Sequence, residues 1–402
     1  MKVGEINIPK IEIEPFAFVH DYQTRIYLQY ANIIEKDDIG RSVVKSLSED
    51  PRVTALNGKM ISKGSSAQIF EVKTLAMWFL WCANEHGLKN ARKNLELFLT
   101  SDEIPVINTL WVLGVEIDVP IKLNDNYILQ PLGNMPDSRD KEYFLQSRMG
   151  QVIQRTPVPM CAITKTCTVN KAWGQEPPAD NLNKNKYWEV SKRLQDISHI
   201  LNALNGVSCI PFYSTSYVDS VVPFGPFGGS GGGSPVYDVL ARGTTKLSGY
   251  EIDNINGLIE KYQEMDEKEK ARIQRILNRL SQAKRRIQIE DIVLDLGIAL
   301  EMLLLKDNPN NTQLSLSFRL HGSWLLSNSK EDRLVKYQQL KEIYNYRSQV
   351  AHSGILCGGN QEKIESVRQS FPEYLVLAEN ICQKIIKDGS PDWDKLILLT
   401  LA

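Results

Sequence analysis

Apolar residues fall along this chain in two rhythms, and the switches between them mark its elements. At the start they alternate with polar positions: Ile6 and Ile8, Ile11 and Ile13, Phe16 and Phe18, with Pro9 and Pro15 between. A period of two places successive apolar side chains on one face of a strand, and proline is tolerated at strand edges and strand starts. Ala67 to Asn84 is dense enough in apolar residues to predict a buried helix, with Gly87 just past its end as a stop. Val106 to Leu132 returns to strand rhythm through Trp111, Leu113, Val115, Ile117, Val119, Ile121 and Leu123, then Tyr127, Ile128 and Leu129. The turn-forming run Asn124-Asp125-Asn126 predicts a hairpin there. Trp188 to Asn205 carries a helical stripe (Val190, Leu194, Ile197, Ile200, Leu201, Leu204) closed by Gly206.

From Ser248 onward the spacing is helical throughout. Glu251 to Arg286 predicts a charged amphipathic helix, and Glu290 to Lys306 an apolar one at the centre of a bundle. Asp307-Asn308-Pro309-Asn310-Asn311 is a break, after which Thr312 to Ser327, Glu331 to Ser353 and Gln361 to Asp388 predict three more helices. Short connections favour antiparallel neighbours. Between the two halves runs Gly225-Pro226-Phe227-Gly228-Gly229-Ser230-Gly231-Gly232-Gly233-Ser234-Pro235. Glycine has no side chain to bury and loses most entropy on ordering, so this run predicts a flexible linker or mobile loop. The fold class expected is α+β: a mixed N-terminal domain over residues 1–222, a Gly/Ser-rich linker over 223–236, and an all-α domain over 237–402.

Composition narrows this little. With 47 Lys and Arg against 48 Asp and Glu the net charge is −1, so attraction to a polyanion has to come from a local patch. One lies between Lys268 and Arg286, where Arg275, Arg279 and Arg285 are candidate RNA contacts. The competing reading is a solvated helix face with Ile273, Ile276, Leu277 and Leu280 buried behind it. Six scattered cysteines without a Cys-x-x-Cys pair suit a reducing compartment. Cys161, Cys167 and His199 lack both zinc-ligand spacing and a fourth ligand, so neither metal nor cofactor is expected. The opening Met1-Lys2-Val3-Gly4-Glu5 leads straight into strand rhythm, and the longest apolar runs, such as Thr74 to Cys82, are too short to span a bilayer. A cytoplasmic protein without a membrane partner is expected. No phosphate-binding glycine motif follows a strand in the N-terminal half.

The candidate chemistry sits in Tyr346-Arg347-Ser348-Gln349-Val350-Ala351-His352-Ser353-Gly354. A guanidinium holds a phosphate and offsets charge building on it, while an imidazole titrates near neutrality and moves protons. Arginine and histidine five positions apart lie about 140° apart on a regular helix, so they need either a two-fold partner or a helix that ends near His352 at Gly354. Glu301, inside the apolar run Leu300 to Leu305, needs a partner: it could orient Arg347 or Arg319, tune a proton transfer, or form a structural ion pair. Arg319 and His321 could reach phosphate, but for Arg319 an ion pair within the bundle is the favoured reading. Tyr344 and Tyr346 could stack on an unpaired base, and Ser348 could bond a phosphate oxygen.

Three segments in order, Leu294 to Leu305, Ser317 to Leu326, and the helix ending Tyr-Arg-Ser-x-x-x-His-Ser-Gly, resemble the HEPN domain, in particular its Apea-like branch found in bacterial anti-phage proteins. The resemblance covers the chain from about Glu251 onward and is sharpest at Arg347 and His352. It implies a helical bundle that pairs into a homodimer or higher even oligomer, setting two Arg-x4–6-His motifs beside one cleft. It further implies a metal-independent endoribonuclease leaving cyclic phosphate ends, acting as a toxin in abortive infection. The N-terminal domain would then sense a phage-derived trigger or regulatory partner. In many active members a polar residue such as Asn, Asp or His follows the arginine; here that place is Ser348. Some HEPN domains serve only as dimerisation or nucleotide-binding modules, so an inactive scaffold or antitoxin-like partner is the alternative.

Overall fold

The computed structural model describes residues 30–63, 66–135, 138–148, 159–173, 181–225, 229–233, 244–247, 251–306 and 313–399. The alternating stretch at 6–18 and the break at 307–311 lie outside the described residues. Two short helices, α1 (Asp38–Ser48) and α2 (Pro51–Leu56), begin at aspartate caps: Asp37 accepts from the Ile39 N–H and Asp50 from the Arg52 N–H. A hairpin of β1 (Met60–Lys63) and β2 (Ser66–Ile69) precedes α3 (Val72–His86) and α4 (Leu88–Thr100). The helix expected from Ala67 therefore starts five residues later, because pairing with β1 claims Ala67 to Ile69 as strand. Gly87, at φ +86, ends α3 as expected.

The remaining sheet elements are β3 (Glu103–Leu113), β4 (Val115–Glu116), β5 (Ile121–Lys122) and β6 (Ile128–Pro131), then α5 (Arg139–Arg148), β7 (Cys161–Trp173), α6 (Asn181–Ile200), β8 (Ile210–Val218), β9 (Gly229–Gly233) and β10 (Thr245–Lys246). Strand order is β2-β1-β7-β3-β8-β9, with β6 also on β7 and β5 on β6, all antiparallel; β10 pairs separately and in parallel with β4. The expected hairpin joins β5 to β6, and its turn holds Asp125 and Asn126 at φ +57 and +58, a region these two residue types tolerate. At the centre of the sheet, β3 is buried on both faces from Asn108 to Leu113. Leu110 and Val112 enter the core shared with the helices, while Trp111 packs edge-on against Phe144 of α5, ring centroids 4.9 Å apart.

The glycine run corrects the expected linker. Gly229 to Gly233 pairs with Tyr217 to Tyr213 of β8 as an edge strand. A ladder is made by backbone N–H and C=O groups, which glycine supplies in full; what glycine lacks is side-chain cover and low unfolded entropy.

The bundle comprises α7 (Ile252–Glu264), α8 (Glu267–Arg285), α9 (Ile289–Leu304), α10 (Leu314–Leu326), α11 (Lys330–Ser353), α12 (Gln361–Asp388) and α13 (Trp393–Leu399). The single helix read over 251–286 is two, because Met265 is extended and Asp266 caps α8 by accepting from the Glu269 N–H at 2.8 Å. The interior does not stop at the glycine run. Leu194, Ile197 and Leu201, on and just after α6, belong to one apolar cluster with Val112 and Ile163 of the sheet and with Leu258, Tyr262, Ile273 and Leu277 of α7 and α8. The halves drawn at 1–222 and 237–402 thus share one core. A second core, built from Leu75, Trp78, Phe79, Phe98 and Phe224, lies among α3, α4 and the turn after β8, where Trp78 donates to the Ser220 carbonyl at 3.0 Å. Among the described residues no helix is long and apolar enough to cross a membrane.

Candidate functional site

Arg347 lies where α11 crosses α9, and a glycine makes that crossing close. A Cβ at Gly297 would come within 2.7 Å of the Arg347 Cβ and closer still to its Cγ. The arginine stem therefore rests on Gly297, and its guanidinium reaches one turn further along α9 to Glu301, Nη2 to Oε2 2.7 Å. The two side chains are 28% and 23% exposed. Contact is through one nitrogen, and the Arg347 Nε is buried without a hydrogen-bond partner among the described residues. Burial raises the Glu301 pKa, opposed by the nearby Arg347 charge.

This pair forms one wall of a groove of about 520 Å³, lined by Arg272, Arg275, Glu301, Met302, Leu305, Lys306, Leu314, Tyr344 and Arg347. Its cations differ in how far they are committed. Arg272 is buried, pairs with Glu269 and donates to the Met302 carbonyl at 2.7 Å. Lys306 pairs with the same Glu269 at 2.9 Å, and these two cations pull the Glu269 carboxyl down to about 2. Arg275 is exposed and has no partner among the described residues. Tyr344 sits edge-on to Phe318, centroids 5.3 Å apart, and presents its ring to the groove.

His352 occupies the last turn of α11 and is exposed. The helix ends one residue later, at Ser353, and is capped by Gly354 (φ +71), whose N–H donates to the Val350 carbonyl at 2.8 Å. Since α11 runs unbroken through both residues, the imidazole stands about 140° around the axis from the guanidinium. It does not line the groove that Arg347 lines. Ser348 is half-buried beside them. Tyr346 lies across the helix from Tyr344, in a second depression of about 520 Å³ with Gln349, Cys357, Gly358, Lys363 and Ser366, and burial raises its phenol pKa.

Several candidate contacts are already engaged. Arg279 and Arg286 both bond the buried Asp295, at 2.7 and 3.1 Å, so Arg279 is a structural cation rather than a free one. Arg285 Nε donates to the Ser281 carbonyl one turn back, and Lys284 is buried altogether. The basic stretch is therefore largely the helix face with Ile273, Ile276, Leu277 and Leu280 behind it, and of the three candidate arginines Arg275 alone lines the groove. Arg319 corrects the expected carboxylate pair: its Nε donates to Ser315 O at 2.7 Å and its guanidinium lies over the Tyr337 ring at 5.1 Å. Glu301 accordingly serves Arg347, not Arg319. His321 stacks on Trp393 at 4.2 Å with Nδ1 2.6 Å from the Leu304 carbonyl; burial lowers its pKa, which disfavours a phosphate-binding cation.

Sequence reasoning missed Gly297 and Lys306. A glycine inside an apolar helix costs about 1 kcal/mol relative to alanine, so its presence there was itself a signal of close backbone approach. Lys306, at the edge of a break, carries no such signal. No protein-family model, curated protein or solved structure matches the chain.

Proposed function

We propose that the chain is a metal-independent endoribonuclease, acting as a two-fold dimer in anti-phage defence. The observation that carries this reading is the setting of Arg347: a guanidinium braced on Gly297, held by one carboxylate contact, and open to a groove with unpartnered Arg275. In the proposed reaction the ribose 2′-hydroxyl attacks phosphorus, the bond to the 5′-oxygen breaks, and a cyclic phosphate forms. Arg347 offsets the charge gathering on the phosphoryl oxygens. His352, on the free outer face of α11, takes the 2′-hydroxyl proton, and a second imidazole supplied by the two-fold partner protonates the leaving oxygen. Pairing is what this reading requires, because one chain's guanidinium and imidazole diverge.

The same divergence favours a second reading, an inactive HEPN-type scaffold whose Arg347 only ties α11 to α9. Cleavage of single-stranded RNA in the presence of EDTA separates the two. Wild type is expected to cut, with Arg347→Ala and His352→Ala each slower by about 10²-fold or more. Equal cutting by all three, or no cutting by a dimeric wild type, leaves the scaffold. Slow growth on expression, relieved by either substitution, is the matching result in cells.

A further inference from the structure

We infer that the groove between α8, α9 and α11 holds a nucleotide unit by its phosphate and base, and that Glu301 occupies the phosphate place until the ligand arrives. Four cations line it against Glu301, and Glu269 behind Arg272 and Lys306 offsets one more, which leaves a surplus of two suited to an anion. Arg275 is uncommitted, Lys306 stands at the edge, and Arg347 is bonded through a single nitrogen with Nε unsatisfied. A phosphate offers more acceptor oxygens than the one Glu301 contact provides, so it can satisfy the guanidinium more fully. Met302 and the Tyr344 ring give an apolar wall beside these charges, as a base next to its phosphate needs. Burial disfavours the ionised form of Glu301, so displacing its carboxylate towards water relieves a desolvation cost while the phosphate takes over the arginine. The inference deepens the nuclease reading by naming what the groove holds, and it is tested by binding alone, so the two can fail separately.

The phosphate could belong to an RNA strand or to a free nucleotide. The test is fluorescence polarisation of a labelled, 2′-O-methylated and hence uncleavable strand of roughly ten nucleotides, with the full chain and with AMP as competitor. Arg275→Glu, at an exposed and unpartnered position, is expected to weaken binding about tenfold and to reduce the slope of log affinity against log salt by about 0.7. Arg275→Lys restores most of the affinity, and Glu301→Gln, which loosens the hold on Arg347, tightens binding several-fold. Strand binding with this profile identifies RNA; AMP binding with this profile and no strand binding identifies a free nucleotide, and the groove stands in both cases. Indifference of both ligands to Arg275→Glu overturns the site. Weaker binding by Glu301→Gln, with the circular dichroism of the folded protein intact, overturns the role given to Glu301.

Discussion

Two cation–carboxylate pairs in this molecule use similar chemistry to different ends. Lys284 and Glu379 meet at 2.7 Å with side chains 4% and 0% exposed. The ammonium also lies 2.8, 3.2 and 2.7 Å from the Asn202, Leu204 and Val207 carbonyls, and Glu379 accepts from the Gly206 N–H at 2.9 Å. Burial pushes the lysine pKa down and the glutamate pKa up, each opposed by the partner's charge. This cluster stitches the turn after α6 onto α8 and α12. Arg347 and Glu301, by contrast, share one contact at the wall of an open groove and leave a guanidinium nitrogen unsatisfied. The contrast lies in the cation: Lys284 has its donors spent and holds the fold, even with Glu379 Oε2 buried and unbonded among the described residues, whereas Arg347 has a donor to spare for a ligand.

The largest test of that contrast is Lys284→Ala. It leaves a buried carboxylate and three carbonyls without their cation, and is expected to cost about 3–5 kcal/mol in urea unfolding. A cost under about 1 kcal/mol would put Lys284 in the range of an exposed pair and erase the contrast. Next in size is Gly297→Ala, where the added methyl meets the Arg347 stem: a loss of about 1–3 kcal/mol is expected from overpacking. Gly257→Ala on α7 is the control, since a Cβ there meets open space and should be neutral or stabilise by up to about 1 kcal/mol. Equal responses at the two glycines would remove the close crossing from the account of the site.

The smallest effect belongs to Glu301→Gln, expected to change stability at neutral pH by less than about 1 kcal/mol. Its signature is in the pH profile. The folded Glu301 pKa lies above its ordinary value of 4.5, so its contribution to stability is present below that value and is lost as pH rises through the raised one. Glutamine cannot titrate, so the difference between wild-type and variant urea midpoints should drift in the variant's favour from about 4.5 upward. Parallel profiles would mean that the carboxylate is not held in a desolvated setting.

Helices and hairpin were legible because their signals are local: the stripe of α6, the turn at Asn124 to Asn126, and the boundaries of α11 and α12 follow from spacing and caps. The glycine run was misread because compositional rules weigh side chains, whereas an edge strand is held by backbone pairing with a partner distant in sequence. The split at Asp266 was hidden by charge periodicity that continues across it. At the site, the sequence singled out Arg347, His352 and Glu301, but left the arginine served by Glu301 open. Only the crossing of α9 and α11 selects Arg347 and excludes Arg319, whose guanidinium turns to Tyr337. The commitments of Arg279 and Lys284 depend on Asp295 and Glu379, which no spacing rule links to them.

Helix α6 precedes the glycine strand in the chain, yet its apolar stripe is sealed against α7 and α8. A shortened chain beginning at residue 237 would therefore carry a bare strip around Leu258, Ile273 and Leu277, and would be prone to clump. Trimming for expression or crystallisation has to keep residues 181–206 with the bundle, making the smallest self-sufficient piece considerably larger than the helices alone.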